Sequence, residues 1–474
     1  MNFSWLFFVD IGIISAALLL STLIRSKLKF FQRYLIPNAL TAGFLLLFFY
    51  NFAAPLLGHS GDGLGSLVYH LLSISFIAMT LRKTPPKSRK GTMGIQATTT
   101  TVVFQYGLQA TVGLLLTFLF ISTLYPDLFP AMGFFLPLGF ALGPGQAYAI
   151  GEGWQTFGFE GGGSVGLTFA AVGFLFACFG GVWLINYGIR KQWITPEKRQ
   201  AIENRGIRTG IFPRHSERPS GLTMTTETEA IDSLSYTAGF VFLIYLVTFL
   251  LLKLLTFLLS FAGDLGTELA VNLWGISFVF AALMAILTKQ IIQKLKIQYT
   301  LDNMALNRIA GFSVDLMVAG AVGAINLVVV AAYWFPILVI SAAGGILVIV
   351  TVPWFCSRIF KDHRFDRMMI IYGGMTGTMP TGLALLRVLD PDFETPAASD
   401  YMFSSALVFA ICIPFILSIN FPAYTYSTGN PVYFWLSVGI SLAYALAGLI
   451  GFAVIAKKRA FQEPKQRWLR KGEE

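Results

Sequence analysis

The chain has 474 residues, 55% of them apolar and 12% charged, with mean hydropathy +0.68 and a formal net charge of +10. A soluble domain carries roughly 45–50% apolar and 25% charged residues, so this composition excludes one and indicates a polytopic helical membrane protein. The positive balance also excludes nucleic acid as a partner, because the basic residues lie in short segments beside apolar stretches, where anionic lipid is the natural counterpart.

A bilayer core of roughly 30 Å needs about 20 apolar residues per helix. In chain order, the stretches that qualify are 3–23, 36–57, 66–81, 92–124, 164–189, 237–262, 268–288, 312–333, 336–356, 402–420 and 432–456, eleven spans in all. Of the 34 Lys and Arg residues, 32 fall in six clusters at 25–33, 82–90, 190–218, 289–308, 358–367 and 457–471. Every second gap between spans carries none. Lys and Arg are retained on the cytoplasmic side, so the N-terminus is expected outside and the C-terminus inside. The first stretch has no basic segment before it, unlike a cleavable signal. Cys178, Cys356 and Cys412 sit in or at the ends of apolar stretches without metal or disulfide spacing, and read as small core residues.

This count closes only if two further segments, 134–154 and 368–389, enter and leave on one side. Both are broken by glycine and proline: Gly139, Gly143, Pro144, Gly145, Gly151 and Gly153 in the first, Gly373, Gly374, Gly377, Pro380 and Gly382 in the second. Such residues permit reversal of the chain, and irregular backbone survives at membrane depth only when protein or a wet cavity covers it. Flexible loops outside the membrane also favour Gly and Pro, but Phe134, Phe135, Leu136, Met368, Met369, Ile370 and Ile371 are too apolar for water. The expected fold is therefore all-α, with two inverted five-helix repeats, each holding a re-entrant helical hairpin, plus an extra C-terminal helix. Residues 1–190 form the first repeat, 191–235 a cytoplasmic linker, 236–422 the second repeat, and 423–474 the extra span and basic tail. Inverted halves with broken helices in matching places point to a secondary transporter.

The run Phe30-Phe31-Gln32-Arg33-Tyr34-Leu35-Ile36-Pro37, the tip Gly377-Thr378-Met379-Pro380-Thr381-Gly382, and the stretch from Ala170-Ala171-Val172-Gly173 to Gly180-Gly181 resemble the bacterial sodium/glutamate symporter family. The similarity extends diffusely over about residues 1–422. The resemblance implies a homodimer in the bacterial inner membrane and symport of sodium with glutamate or a related amino acid or carboxylate. It also implies elevator-like movement of a transport domain past a scaffold. Sodium would be the coupling ion, with no other cofactor. The first tip departs from the family's Gly-Gly-His-Gly-Thr type pattern, reading Ala141-Leu142-Gly143-Pro144-Gly145-Gln146 without a histidine; the family's second-tip Thr-Pro-Thr becomes Met379-Pro380-Thr381. The eleventh span and long linker are additions to the family's pattern.

Exposed helix ends offer N–H groups to an anion, and unwound carbonyls and hydroxyls suit sodium. Gly143, Gly145, Gln146, Thr378 and Thr381 are therefore the candidate solute contacts, and Thr376, Thr378 and Thr381 the candidate sodium contacts, unless these small residues only permit tight packing. Arg387 either reaches a substrate carboxylate or snorkels to headgroups. Lys253, near mid-span, is expected to face protein, water or a carboxylate. Asp315 and Asp10 lie near span ends, where solvation explains them as readily as ion binding, and Asp315 is the candidate sodium ligand of the two; Glu152 follows the first tip as a helix-terminus or gating residue. Asn326 is an ion or substrate contact by analogy with the family. Thr98 to Thr101, Gln105 and Gln109 form a polar stripe, either bonding between helices or lining a pathway. An intramembrane enzyme is disfavoured, since His59, His70, His215 and His363 lie away from any nucleophile motif. A channel is the other rival. Proton coupling or exchange is the nearer alternative, but neither tip carries a titratable residue.

Overall fold

The computed structural model describes residues 5–34, 36–82, 92–193, 223–261, 277–390 and 395–469, with a few single positions between them. Most of the linker 191–235 and of the basic run 82–90, the start of the span expected at 268–288, and His215 lie outside the described residues.

The main helices are α1 (Leu6–Lys27), α2 (Asn38–Ala53), α3 (Asp62–Leu81), α4 (Thr92–Thr123), α5 (Pro130–Leu142), α6 (Pro144–Gly153), α7 (Gly162–Arg190) and α8 (Ser233–Ser260). They continue as α9 (Ser277–Lys294), α10 (Asn303–Gly323), α11 (Leu327–Ile359), α12 (Arg364–Leu386), α13 (Ala397–Ile411), α14 (Ile413–Thr428) and α15 (Val432–Ala456). Among the described residues nine helices are long and apolar enough to cross a membrane, or ten if α13 and α14, bent by 54°, count as one broken span. The chain is thus a multi-pass, all-helical membrane protein. The span expected at 36–57 is the shorter α2, whose last turn, Phe49–Ala53, widens into π-helix.

One pair of expected spans is displaced. Pro336 marks a boundary between 312–333 and 336–356 in the sequence reading, yet α11 runs through it, with only a kink at Tyr333 (φ −118°, ψ 16°). A mid-helix proline removes the bond to the carbonyl four residues earlier and bends the helix, while its neighbours hold the rest. The true boundary is at Asn326, whose side chain accepts from Val328 N at 3.0 Å and Val329 N at 3.4 Å as an N-cap.

The helices pack in two groups. In one, α1, α2, α3 and α10 share Ile14, Leu46, Leu64 and Leu316, and α3, α8, α9 and α10 share Ile77, Val241, Ala281 and Leu306. The larger group collects α4 to α7 and α11 to α15 around Phe134, Phe169, Phe355 and Met368, and its core runs on into the first group through Leu40 of α2, Leu72 of α3, Phe278 of α9 and Val318 of α10. Within it, Gly107 of α4 lies against the Ala445 and Ser441 backbone of α15, and Gly448 against Phe104, a small-residue contact that lets two backbones approach. The eleventh span is therefore built into this group, not appended to it.

Basic residues gather at one end. Lys289 donates to the Arg82 carbonyl, Arg82 to Asn307 Oδ1, and Arg387 lies within electrostatic range of Arg308. The tail folds back at this end. Arg358 is fully buried and donates to the carbonyls of Gln462, Glu463 and Gln466, while Trp468 stacks on Trp193 at 4.7 Å and meets Phe365 at 6.0 Å.

Candidate binding site

Two helix interruptions define the interior. Between α5 and α6, Gly143 adopts φ +109°, ψ 175°, a conformation that costs a residue without Cβ little. The chain doubles back there: Phe135, in the first half of α5, sits 4.8 Å from Trp154, just past the end of α6. In α12, Gly377 (φ −152°, ψ 25°) and Thr378 (φ +75°, ψ 167°) break the helix, and Gly382 returns against Gly373 and the Ile370 carbonyl. The positive φ falls on the threonine, not on the glycine beside it. Such a backbone costs a β-branched residue about 1–3 kcal/mol and persists only where its surroundings enforce it.

Helix α7 serves as a ruler for both. Along α5, Phe135 faces Gly166, Gly139 faces Ala170 and Phe140 faces Gly173, so α5 descends from the start of α7 toward its middle. Along α12, Phe365 faces Gly188, Tyr372 faces Gly180, and Gly377 faces Ala177 and Phe174, so α12 climbs from the opposite, basic end. The two interruptions meet near the middle of α7. A Cβ placed on Gly143 would come within 2.5 Å of Thr378 Cγ2.

Beyond each interruption a fresh helix begins. Gly143 is the N-cap of α6, with Gln146 three residues on; Thr378 holds the equivalent place in α12, with Thr381 three residues on. Two helix N-termini, each with unspent N–H groups and a positive dipole end, therefore converge. Gln146 is 1% exposed, and neither its amide nitrogen nor its oxygen has a hydrogen-bond partner among the described residues. Leaving such a buried donor or acceptor unsatisfied costs about 1–3 kcal/mol. Its oxygen lies 3.6 Å from the Cβ position of Gly143, which places it at the meeting point.

The carbonyl side is partly occupied. Gln109, buried in α4, donates from Nε2 to the Met375 carbonyl at 3.1 Å, a carbonyl released by the α12 break; its own Oε1 has no partner among the described residues. The Thr376 carbonyl would bond residue 380 in an unbroken helix, but that residue is proline and has no N–H. Gly173 approaches this carbonyl closely enough that a Cβ there would sit 2.5 Å from it. The Thr376 hydroxyl is spent on its own helix, donating to Tyr372 O at 2.8 Å, and Tyr372 in turn donates to Phe176 O in α7 at 2.7 Å.

Of the residues singled out in the sequence, Gly143, Gln146, Thr376, Thr378 and Thr381 come together. Gly145 is adjacent but packs on Leu72 of α3. Arg387 caps the C-terminal end of α12, exposed beside Arg308, nine residues past Thr378 and so about 13 Å along the helix at 1.5 Å per residue. Asp315 is exposed on α10. Asn326 caps α11 beside Ser164, nine residues before Gly173 on α7, again about 13 Å from the meeting point. Its oxygen serves the helix cap.

Other expectations change as well. Asp10 is not solvated: it is buried and accepts hydrogen bonds from Tyr50 at 2.7 Å and from His59 Nε2 at 2.8 Å. Lys253 lies exposed on α8 with its ammonium 5.7 Å from the Phe249 ring, on the outer surface of the single chain. Glu152 accepts from Gln155 at the non-basic end, away from the tips. In the polar stripe, Gln105 bonds Thr351 Oγ1 at 2.9 Å and Gln109 the break itself, so both are interhelical ties. Gln109 carries a role at the site that its i, i+4 spacing did not distinguish from Gln105's.

No protein-family model, curated protein or solved structure matches this chain.

Proposed function

We propose that the chain is a secondary active transporter: a sodium-coupled symporter of glutamate or a related amino acid or carboxylate, working by elevator-like alternating access in the bacterial inner membrane. One observation carries the reading. Two interrupted helices reach the middle of α7 from its opposite ends and present two helix N-termini around a buried, unpartnered Gln146 amide. On this reading α5 with α6, and the two arms of α12, are the re-entrant hairpins of two inverted repeats, and the solute's carboxylate lies beside the Gly143–Thr378 contact, on the N–H groups that open α6 and the second arm of α12. The Gln146 amide donates to it. Carbonyls and the Thr381 hydroxyl at the same junction suit sodium, and the tip residues Gly, Pro, Gln and Thr offer no proton-carrying group. The basic end is the cytoplasmic one.

Coupling has an electrostatic rationale, since each negative charge moved inward works against about 2.3 kcal/mol per 100 mV, which accompanying cations offset. The two packing groups supply a scaffold and a moving body. A mid-span lysine on a lipid-facing surface costs roughly 2.5–3.5 kcal/mol, so exposed Lys253 favours covering α8 with a second copy in a homodimer. The test is uptake of labelled glutamate and related carboxylates into proteoliposomes, with sodium and proton gradients imposed separately. Accumulation driven by sodium supports the reading; leak without accumulation, or accumulation driven by protons alone, overturns it.

A further inference from the structure

At the basic end of the molecule, the short helix Lys29–Arg33 and the last two turns of α7 enclose a surface groove of about 390 Å³. Its polar rim is Arg33, Asn186 and Arg190, and among the described residues no carboxylate lines it. Its floor is apolar, made by Val182, Ile189 and the Trp183 ring. A third guanidinium, from Arg467 of the tail, stands over Trp183 at 5.6 Å. One turn earlier on α7, Phe179 is exposed and packs against Tyr34 at 5.1 Å and Phe30 at 6.2 Å, so the apolar floor continues toward the middle of the membrane-spanning region.

We propose that this groove binds an anionic phospholipid, with the phosphate held by Arg33 and Arg190 and an acyl chain lying along Trp183 and Phe179. The charge is complementary: guanidinium forks match phosphate oxygens, and the cytoplasmic leaflet is rich in anionic headgroups. Trp183, partly exposed, stacked on Tyr187 and set among guanidinium groups, is the kind of ring that sits at a membrane interface. A free phosphate would use the rim and leave the floor bare, whereas a lipid uses both. The bound lipid joins the α1–α2 connection to α7, that is, one packing group to the other. The site is separate from the junction at Gly143 and does not depend on the transport reading.

The test uses the purified full chain in neutral detergent, with native mass spectrometry and thermal unfolding as readouts and phosphatidylglycerol, phosphatidylcholine and inorganic phosphate as probes. Phosphatidylglycerol is expected to be retained and to raise the Tm. R33Q/R190Q should weaken its binding by about tenfold, the scale of one lost charge-assisted fork, while the lipid-free Tm stays at the parent value because the rim is exposed. W183A should weaken phosphatidylglycerol and phosphatidylcholine binding alike. If R33Q/R190Q does not fold, each single substitution is read instead. Unchanged phosphatidylglycerol retention in the Arg variants overturns the proposal, as does a stabilisation by inorganic phosphate equal to that by the lipid, which would mark a soluble-anion site.

Discussion

Gly143 and Thr378 meet across the middle of α7, each with positive φ and each opening a new helix, so closely that the glycine has no room for a methyl group. The two residues come from opposite halves of the chain. Their contact fixes how far each interrupted helix penetrates, and most of the testable consequences start from it.

Gly143→Ala combines a forbidden backbone with a collision against Thr378. The substitution is expected to destabilise the protein by about 1–3 kcal/mol through strain alone and to abolish uptake. Thermal unfolding and proteoliposome transport check it; an alanine variant with parental uptake would show that the tips are not in working contact.

Thr378→Gly should act in the reverse sense on stability. Relief of about 1–3 kcal/mol of strain exceeds the roughly 0.5–1 kcal/mol entropic cost of a glycine, so the Tm should rise. Uptake should fall, since the methyl group that seats against Gly143 is gone. A lower Tm would mean that threonine is at ease there and stores nothing.

Gln146→Met keeps the volume and removes the unpartnered amide. The ligand-free protein should gain about 1–3 kcal/mol, because a buried group that lacks partners is replaced by one that needs none. The same variant should lose the stabilisation that the solute proposed to bind at this junction confers, which follows RT ln(1 + [L]/Kd). A solute-induced Tm shift as large as the parent's would remove Gln146 from the site.

The tail prediction rests on Arg358, fully buried with its donors on the carbonyls of Gln462, Glu463 and Gln466. Truncation after Ala456 strips those carbonyls and uncovers the guanidinium, which keeps its bonds to Trp354 O and Ser357 Oγ, a loss of about 1.5–3 kcal/mol for a charge-assisted bond. Arg358→Met should cost much less in the truncated chain than in the full one. Equal costs in both backgrounds, measured as a double-mutant cycle in thermal unfolding, would show that the arginine and tail are not coupled.

Some of this architecture was legible in the amino-acid order because bilayer physics acts on composition directly. Apolar length gave α7 and α15 to within two residues and α1 and α8 to within four, and the Gly/Pro breaks marked two places where a helix stops inside the protein. Boundaries set by local hydrogen bonding were harder. Pro336 looked like an end and is only a kink, because a proline deletes a single bond, whereas the Asn326 cap, which satisfies two N–H groups, was the end and looked like a mid-span polar residue. The candidate site was half legible for a similar reason. Glycine and threonine at a tip announce backbone irregularity, but spacing along α4 cannot tell Gln109, which ties off the Met375 carbonyl, from Gln105, which bonds Thr351.

The sequence by itself determined that this is a multi-pass helical protein with two interrupted segments and one strongly basic side, since hydropathy, helix-breaking residues and charge all act locally. Only the tertiary structure decided that the interruptions meet tip to tip, that Gln146 is enclosed there while Arg387 and Asn326 stand elsewhere, and that the tail is locked beneath by Arg358. Those outcomes depend on which surfaces fit together between segments far apart in the chain, and such fits are properties of packing that no single stretch of residues encodes.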